Sequence, residues 1–186
     1  MTTAKTRTWP LAQATEVAEG LITLLRPACE RIEVAGSIRR QKMQVGDIEL
    51  LIVPRVVMDP PSLWLQRRPL EGLVLQLIEQ ELLGYRLNKN RRRAFGSKNK
   101  LLVHVPSGIG VDLFSTTVEN WGMSLVVRTG SAEFCVRVMS RFKALGCQGH
   151  AYGGVTDQQG KEISCSTEED VFRLLGWRFR PPEERG

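Results

Sequence analysis

Apolar positions along the chain recur with two periods, one typical of helices and one typical of strands. Apolar residues three and four positions apart predict amphipathic helices over residues 11–26, 70–82 and 135–142. A Ser166–Glu169 pair has the form of a capping box and predicts one more helix, which Gly176 would end. Short segments rich in apolar and β-branched residues predict strands over residues 31–35, 47–53, 85–88, 100–105 and 111–116.

Glycine and proline between these segments indicate where the elements end. Pro27 is expected to end the first helix and Gly84 the second, and a polar, proline-rich connection covers residues 58–69. Two short strands are predicted around a turn at residues 157–160. The elements together predict an α+β fold, with a mixed β-sheet flanked by helices up to about residue 118 and a small α/β subdomain over residues 119–186.

Two acidic residues open the most apolar strand. Asp47 and Glu49 are two positions apart, so their side chains point to the same face of the strand. A lone pair of this kind is also typical of an edge strand with two solvated acids. The apolar residues 50–53 instead indicate a strand buried on both faces at that end, where acids need a reason to be present.

A third acid, Asp112, opens another predicted strand that could lie beside the first. Closely spaced carboxylates repel each other, and a bound divalent cation removes that repulsion. Ligands that are all oxygen suit Mg²⁺. Three carboxylates can hold two such ions for in-line phosphoryl transfer, so this set is a candidate catalytic centre.

A possible phosphate-binding segment lies ten residues before the acids. Gly36 and Ser37 form a Gly–Ser turn that exposes backbone N–H groups and a hydroxyl, which can cradle a triphosphate. Arg40 follows, and its guanidinium is a forked donor that suits phosphate oxygens.

The charge of the chain favours a polyanionic partner. The net charge is +6 and the isoelectric point about 9.5. Between Arg86 and Lys100 there are seven basic residues and no acid, a run that is either solvated or in contact with phosphate. The candidate DNA-binding residues within it are Arg91, Arg92, Arg93 and Lys98.

The rest of the composition excludes several classes of protein. With 42% hydrophobic and 25% charged residues, the chain is neither disordered nor fibrous. It lacks a signal peptide and an apolar run long enough to cross a membrane, so we expect a cytoplasmic protein with no membrane partner. Its four cysteines fit neither a zinc ribbon nor a disulfide framework, which favours reduced thiols.

Several motifs resemble one enzyme family. The string GSIRRQKMQVGDIELLIV at residues 36–53 resembles the signature of the DNA polymerase beta superfamily of nucleotidyltransferases. The strings VDLF, RTGSAEF, STEEDVF and RPPEER then follow in the order of the C-terminal region of X-family polymerases. The first string alone indicates a nucleotidyltransferase, and the later ones favour the polymerase branch. The resemblance extends from about Trp9 to Arg185.

This resemblance implies roles for individual residues. It implies a nucleotidyltransferase palm over residues 1–118 and a thumb-like subdomain over residues 119–186. Asp47 and Glu49 would ligate both metal ions, and Asp112 would ligate the catalytic ion where the primer 3′-hydroxyl is activated. The metal would be Mg²⁺, as two ions, with Mn²⁺ able to substitute. The residues implied to bind the nucleotide are Gly36, Ser37, Arg40, Gly46, Thr129, Gly130 and Ser131.

The implied activity is that of a DNA-directed DNA polymerase. It would transfer a nucleotide from a dNTP to a primer 3′-hydroxyl, in short gap filling or repair synthesis. The implied partners are dNTP and primer–template or gapped DNA, bound by a monomer. An N-terminal lyase domain and helix–hairpin–helix DNA clamps would need well over 100 further residues, so we expect weak, distributive DNA binding.

The sequence departs from the family pattern at four positions. Glu49 stands where the family usually has Asp, which moves the carboxylate outward. Val127 and Arg128 stand where many relatives have an aromatic pair that helps to exclude ribonucleotides, so ribonucleotide use is a hypothesis. Cys135 stands where many relatives have an Asn that contacts the base.

Two other functions remain open from the sequence. The same metal site could serve a template-independent terminal transferase or an RNA nucleotidyltransferase. The chain could also be a catalytically silent nucleic-acid-binding protein, although the presence of all three carboxylates disfavours this alternative.

Overall fold

The computed structural model describes residues 7–58, 66–67, 69–150 and 152–186. Within these residues the strands are β1 Trp9–Pro10, β2 Cys29–Val34, β3 Gln44–Val45, β4 Asp47–Pro54, β5 Val57–Met58, β6 Gln66–Arg67, β7 Leu83–Tyr85, β8 Asn99–His104, β9 Ile109–Ser115, β10 Gln148–Gly149, β11 Val155–Thr156 and β12 Glu162–Ile163. The helices are α1 Leu11–Leu25, α2 Gly36–Arg39, α3 Pro69–Glu79, α4 Trp121–Thr129, α5 Ala132–Ala144 and α6 Glu168–Leu175, with 3₁₀ turns at Arg26–Ala28 and Pro182–Arg185.

A five-stranded mixed sheet forms the centre of the N-terminal part. Its strand order is β2-β4-β9-β8-β7, and only the central pair β4 and β9 is parallel. The parallel pairing needs a long crossover, which α3, β7 and β8 supply between β4 and β9. The predicted α+β class with a mixed sheet flanked by helices is therefore confirmed.

The two faces of the sheet pack against different helices. On one face the apolar residues of β4 and β9 pack with α1 and α3 in a large core that includes Ile48, Leu50, Val111 and Leu113. On the other face Leu51, Val53 and Phe114 pack with Trp121 and Leu125 of α4. Strand β4 alternates between the two cores because successive side chains point to opposite faces.

A second core fills the C-terminal part. It includes Met123 and Val126 of α4, Phe134 and Phe142 of α5 and Phe172 of α6. Because Trp121 and Leu125 of the same α4 helix pack on the sheet, this helix belongs to both cores. A three-stranded antiparallel sheet of β10, β11 and β12 accompanies the second core.

Most predicted elements are present, with corrections at their ends. The strand predicted over residues 47–53 is β4, and its residues 50–53 are buried as expected. The turn at residues 157–160 joins β11 to β12. In α1 the apolar residue Leu24 is 42% exposed, although it lies at helical spacing. Ala14 and Ala18 are buried on the core face of this helix. Most of the polar connection at residues 58–69 lies outside the described residues.

Three boundary predictions were wrong. Helix α3 ends at Glu79, where the chain turns through Glu81 at φ +56, so Gly84 does not stop the helix but lies inside β7. The strand predicted over residues 85–88 accordingly lies two to three residues earlier. The capping box of α6 is one residue further along than expected, with Thr167 and Asp170 as its members. Gly176 ends α6 at φ +69 as predicted.

Helix α4 was not predicted at all. Seven of its nine residues are buried, so burial extends around most of the helix instead of along one face. Gly122, Val126, Val127 and Thr129 are weak helix formers, and Asn120 makes no side-chain cap. Burial between two cores outweighs these local preferences.

The boundary expected at residue 118 between two subdomains stays a prediction. Among the residues that the structure describes, no helix has the length and apolar character needed to cross a membrane. All four cysteines are free thiols, and Cys29 and Cys165 are buried.

The close packing of α4 on the segment before α6 gives a stability prediction. A Cβ atom at Gly122 would lie 1.9 Å from the Thr167 carbonyl oxygen and 2.8 Å from the Cys165 carbonyl oxygen. Backbone cannot yield without moving α6, so we expect Gly122→Ala to lower the free energy of unfolding by about 3 kcal/mol, measured by urea denaturation.

The matched control is Gly20→Ala in the middle of α1. A Cβ atom there would meet nothing within 4 Å, so the better helix former is expected to raise the free energy of unfolding by about 0.5–1 kcal/mol. Equal effects of the two substitutions would contradict the packing of α4 described above.

Candidate active site

The structure brings the three predicted carboxylates together at the centre of the sheet. Glu49 of β4 is paired with Asp112 of β9, and Asp47 is paired with Gly110. Residues paired across parallel strands point to the same face, and Asp47 and Glu49 are two positions apart. All three acids therefore lie on one face of the sheet, contributed by two adjacent strands.

This face is the one on which α4 packs. Beyond Glu49 along β4, Leu51 and Val53 belong to the core under α4, and so does Phe114, two residues after Asp112. The acids lie before this core begins. Their side chains are only partly open to solvent, 37% for Asp47 and 13% for Asp112.

Burial and mutual repulsion perturb two of the acids. Burial, together with the charges of Asp47 and Asp112, raises the pKa of Glu49 to about 7, although Arg128 and Arg40 oppose the shift. Burial also raises the pKa of Asp112, against the opposing charge of Arg86. Asp47 and Asp112 thus make the charged form of Glu49 less favourable, and Asp47 has the same effect on Asp112.

The donor set fits a hard divalent cation. It consists of carboxylate oxygens whose mutual repulsion such an ion would relieve. Within the described ranges, however, no three His, Cys, Asp or Glu side chains are already gathered closely enough to hold a metal ion. A guanidinium lies among the acids instead.

Arg86 provides that guanidinium. Its Nη2 forms an ion pair with Oδ1 of Asp112 and lies 3.9 Å from Oδ2 of Asp47. The sequence placed Arg86 in a basic run expected to be solvated or to meet phosphate. The structure instead pairs it with two of the candidate catalytic acids.

The predicted phosphate-binding segment lies against Glu49. Its Gly–Ser turn is the single helical turn α2, which begins at Gly36 with φ +62. A Cβ atom at position 36 would lie 3.0 Å from Oε2 of Glu49, so glycine is required there by both the backbone conformation and the close contact. Gly46 is exposed, and a Cβ atom there would meet open space.

Two further arginines flank the acids from other elements. Arg40 follows α2, donates from Nη1 to the carbonyl oxygen of Thr129, and keeps a buried Nε that has no hydrogen-bond partner among the described residues. Arg128 of α4 stacks on the Phe114 ring at 3.7 Å and lies 5.3 Å from the centre of the Tyr152 ring. Both arginines lower the pKa of Glu49.

Arg39, the neighbour of Arg40, ties the sheet to the C-terminal part. It donates to both carboxylate oxygens of Glu168, each at 2.8 Å, and to Oγ1 of Thr129 at 3.0 Å. Arg185 pairs with Glu168 from the other side and is fully buried. Burial pushes the pKa of Glu168 upward, but hydrogen bonds from the two arginines hold it below its ordinary value. We call Arg39, Glu168 and Arg185 the clamp.

The predicted nucleotide-binding turn at residues 129–131 joins α4 to α5. Thr129 is fully buried and accepts hydrogen bonds from Arg39 and Arg40. Ser131 caps α5 by accepting from the Phe134 N–H, and its own N–H donates to the Arg185 carbonyl oxygen. These groups hold the turn in place, and their contact with a nucleotide stays a prediction.

The predicted DNA-binding residues lie on the connection between β7 and β8. Arg91, Arg92, Arg93 and Lys98 are exposed. Arg93 lies 4.5 Å from the centre of the Tyr85 ring, while the ammonium of Lys98 lies 5.6 Å from the centre of the Tyr152 ring. Arg86 begins the same connection, so the connection starts beside the acids.

A cavity of about 1000 Å³ lies elsewhere. Lys98, Thr116 and Tyr152 line it, but none of the three candidate acids does. Glu30 and Glu71 also line it, so its charge is mixed. We therefore place the candidate reaction at the carboxylates and not in this cavity.

Comparisons with known proteins support the resemblance seen in the sequence. A family model described as DNA polymerase beta thumb matches residues 124–186. The chain is 27% identical over 167 residues to DNA polymerase lambda of Rattus norvegicus, covering 81% of this chain and 28% of that protein. It is 20% identical over 171 residues to Repair DNA polymerase X of African swine fever virus, isolate Warthog/Namibia/Wart80/1980, covering 87% of this chain and 85% of that protein.

The chain is similar to members of the DNA polymerase X family. It spans less than a third of the length of the rat relative, and most of the length of the viral one. The thumb match begins inside α4 and includes α5, α6 and the small sheet. Two members of the clamp, Glu168 and Arg185, lie in the region that matches the thumb model, while Arg39 lies outside it.

The sequence did not single out three side chains that lie at this candidate site. Arg86 was one of seven basic residues in a run and carried no distinguishing signal. Arg39 lies within the string at residues 36–53 but carried no signal that separated it from Arg40. Arg128 was noted as a departure from the family pattern, but its stacking on Phe114 depends on α4, which was not predicted.

The clamp yields a prediction about stability. Glu168→Gln leaves two buried or half-buried guanidiniums without a counter-charge, so we expect the free energy of unfolding at pH 7 to fall by about 3–5 kcal/mol. Because the folded-state pKa of Glu168 is lowered, its ionic contribution is complete above the unfolded-state pKa and is lost as the pH falls through the folded-state value. The difference from wild type should therefore shrink below about pH 4.

Glu169→Gln is the matched control. Glu169 is exposed in the same first turn of α6, so its substitution should change stability by less than about 0.5 kcal/mol. Urea denaturation across pH measures both variants. A Glu168→Gln variant as stable as the control would show that the clamp does not hold the two parts together.

Proposed function

We propose that this chain is a metal-dependent DNA polymerase that transfers a nucleotide from a dNTP to a primer 3′-hydroxyl. The observation that carries the proposal is the pairing of Glu49 with Asp112 across β4 and β9, which gathers three carboxylates on one face beside Gly36 and Arg40. The relatives named DNA polymerase lambda and Repair DNA polymerase X support it.

The proposed reaction is an in-line displacement at phosphorus. The primer 3′-oxygen forms a bond to the α-phosphorus of the dNTP, the bond to the β-phosphate bridging oxygen breaks, and pyrophosphate leaves. Bound Mg²⁺, as two ions, or Mn²⁺ would supply Lewis-acid activation of the hydroxyl and neutralise the charge of the phosphates. Asp47, Glu49 and Asp112 are the residues that would hold these ions.

Side chains and backbone groups of the protein would accept the proton and bind the nucleotide. Asp112 would accept the 3′-hydroxyl proton on a carboxylate oxygen, and the burial that raises its pKa supports this role. Arg40, whose Nε lacks a partner among the described residues, would bind a phosphate oxygen together with Gly36, Ser37 and Gly46. The turn at residues 129–131 would lie under the sugar and base.

The DNA would be held mainly by charge. Arg91, Arg92, Arg93 and Lys98 are exposed on a connection that begins beside the acids, as phosphate contacts to a primer or template require. The name of the viral relative, Repair DNA polymerase X, supports repair synthesis. Short gap filling by a monomer is part of the proposal and comes from the resemblance seen in the sequence. The sugar preference is open, because Arg128 is a hydrogen-bond donor where many relatives have an aromatic ring.

Primer extension tests the proposed activity. With a 5′-labelled primer on gapped DNA and Mg²⁺ or Mn²⁺, we expect addition of the templated dNTP and no other. Asp112→Asn should reduce the rate at least about 1000-fold, because it removes a metal ligand and proton acceptor, while its thermal unfolding stays close to that of wild type.

Asp157→Asn is the control for charge. Asp157 lies in the turn between β11 and β12, where its Oδ1 accepts two backbone N–H groups that an asparagine oxygen can also accept. Addition regardless of template would favour a terminal transferase, and parallel rNTP lanes rank the sugars. Absence of metal-dependent addition to DNA and to RNA primers would leave a nucleic-acid-binding role.

The salt dependence of DNA binding tests the basic connection. Replacing Arg91, Arg92 and Arg93 with Gln should weaken binding and reduce the slope of log K against log salt by about 0.9 for each phosphate that the protein no longer neutralises. Arg173→Gln on α6 removes an exposed charge elsewhere and should leave the slope unchanged. Fluorescence anisotropy with labelled gapped DNA measures the affinity and its salt dependence in both variants. An unaltered slope in the triple variant would show that these arginines are solvated and do not contact DNA phosphates.

A further inference from the structure

Arg86 takes up a position between two of the candidate metal ligands. Its Nη2 pairs with Oδ1 of Asp112 and lies 3.9 Å from Oδ2 of Asp47, so one nitrogen faces both carboxylates. Asp47 and Asp112 lie on adjacent strands, and a cation shared by them would be drawn to the space between their oxygens.

The sheet leaves space for the Arg86 side chain. Arg86 is fixed at its backbone by an N–H bond to the Leu101 carbonyl oxygen, 3.1 Å long. Its guanidinium lies over Gly110, the residue paired with Asp47, and a Cβ atom at Gly110 would lie 3.2 Å from Cζ of Arg86. Any larger residue at position 110 would press on the guanidinium, so glycine leaves room for it.

The guanidinium is partly open to solvent. The Arg86 side chain is 35% exposed, and its buried Nε has no hydrogen-bond partner among the described residues. Asp112 is the more buried member of the pair, at 13%. A partly exposed arginine can leave this position more easily than the carboxylates on the central strands can move.

We propose that Arg86 is a built-in counter-cation that competes with divalent metal for Asp112 and Asp47. It neutralises the carboxylates when no metal is bound, and it must withdraw from Asp112 before an ion shared by the two acids can bind. Arg86 is thus a positioning residue that weakens metal binding in the absence of substrate. The inference rests on the proposed function, since it takes Asp47 and Asp112 as metal ligands.

Mn²⁺ binding to the full chain without DNA or nucleotide tests this competition. Electron paramagnetic resonance counts free Mn²⁺ and needs no turnover. Arg86→Gln should tighten Mn²⁺ binding by up to about fivefold, because a competing ion pair of this kind is worth up to about 1 kcal/mol. Arg92→Gln makes the same change of charge at an exposed position of the same connection and should alter the affinity less than about twofold.

Gly110→Ala is a second variant that keeps the charge of Arg86. The added methyl group would displace the guanidinium from Asp112, so Mn²⁺ binding should again tighten. Unchanged or weaker Mn²⁺ binding in both Arg86→Gln and Gly110→Ala, with unfolding curves showing that they are folded, would overturn the proposal.

Asp112→Asn in the wild-type background separates this inference from the proposed function. If wild type binds Mn²⁺, Asp112→Asn loses it and Arg86→Gln does not tighten it, then Arg86 is not a competitor but the metal site stands. If wild type, Arg86→Gln and Asp112→Asn all fail to bind Mn²⁺, even at millimolar concentration, both ideas fall.

Discussion

The register between β4 and β9 is the constraint on which the candidate site depends. With Glu49 opposite Asp112, residues far apart in the sequence put three carboxylates on one face. A slip of one residue would turn Asp112 toward the core under α1 and α3 and bring an apolar residue beside Glu49. The buried alternation of residues such as Leu50 and Leu113 makes that slip costly, so core packing itself fixes the geometry of the acids.

Arginines from three different elements lie near the negative charge that this register creates. Arg40, Arg86 and Arg128 come from the segments around α2, β7 and α4, and each affects the ionisation of at least one acid. Arg39 connects this arrangement to the second core through Glu168. The neighbours Arg39 and Arg40 therefore differ in role. Both contact Thr129, but Arg39 pairs with Glu168, whereas Arg40 lowers the pKa of Glu49.

The sequence could predict the strand that carries the acids, because its apolar run and its two carboxylates are local features. It could also predict the acid on β9 as a partner, through motif spacing and family resemblance. Helix α4 could not be predicted, since several of its residues are weak helix formers and its burial between two cores depends on tertiary packing. The C-terminal end of α3 and the N-terminal start of α6 were misplaced. Gly84 pairs with β8 inside β7, and the cap of α6 is formed by Thr167, neither of which the local sequence specifies. Arg86 could not be distinguished within its basic run, because its pairing with Asp112 depends on the order of strands in the sheet.

A crystal structure of the chain with gapped DNA, Mn²⁺ and a non-hydrolysable dNTP analogue would test the central claim most directly. Anomalous scattering at the manganese edge locates the ions independently of any assumption about the ligands. We expect manganese peaks bounded by carboxylate oxygens of Asp47, Glu49 and Asp112, with the triphosphate reaching Arg40. Manganese and nucleotide bound away from these acids, or a nucleotide bound without manganese, would contradict the account.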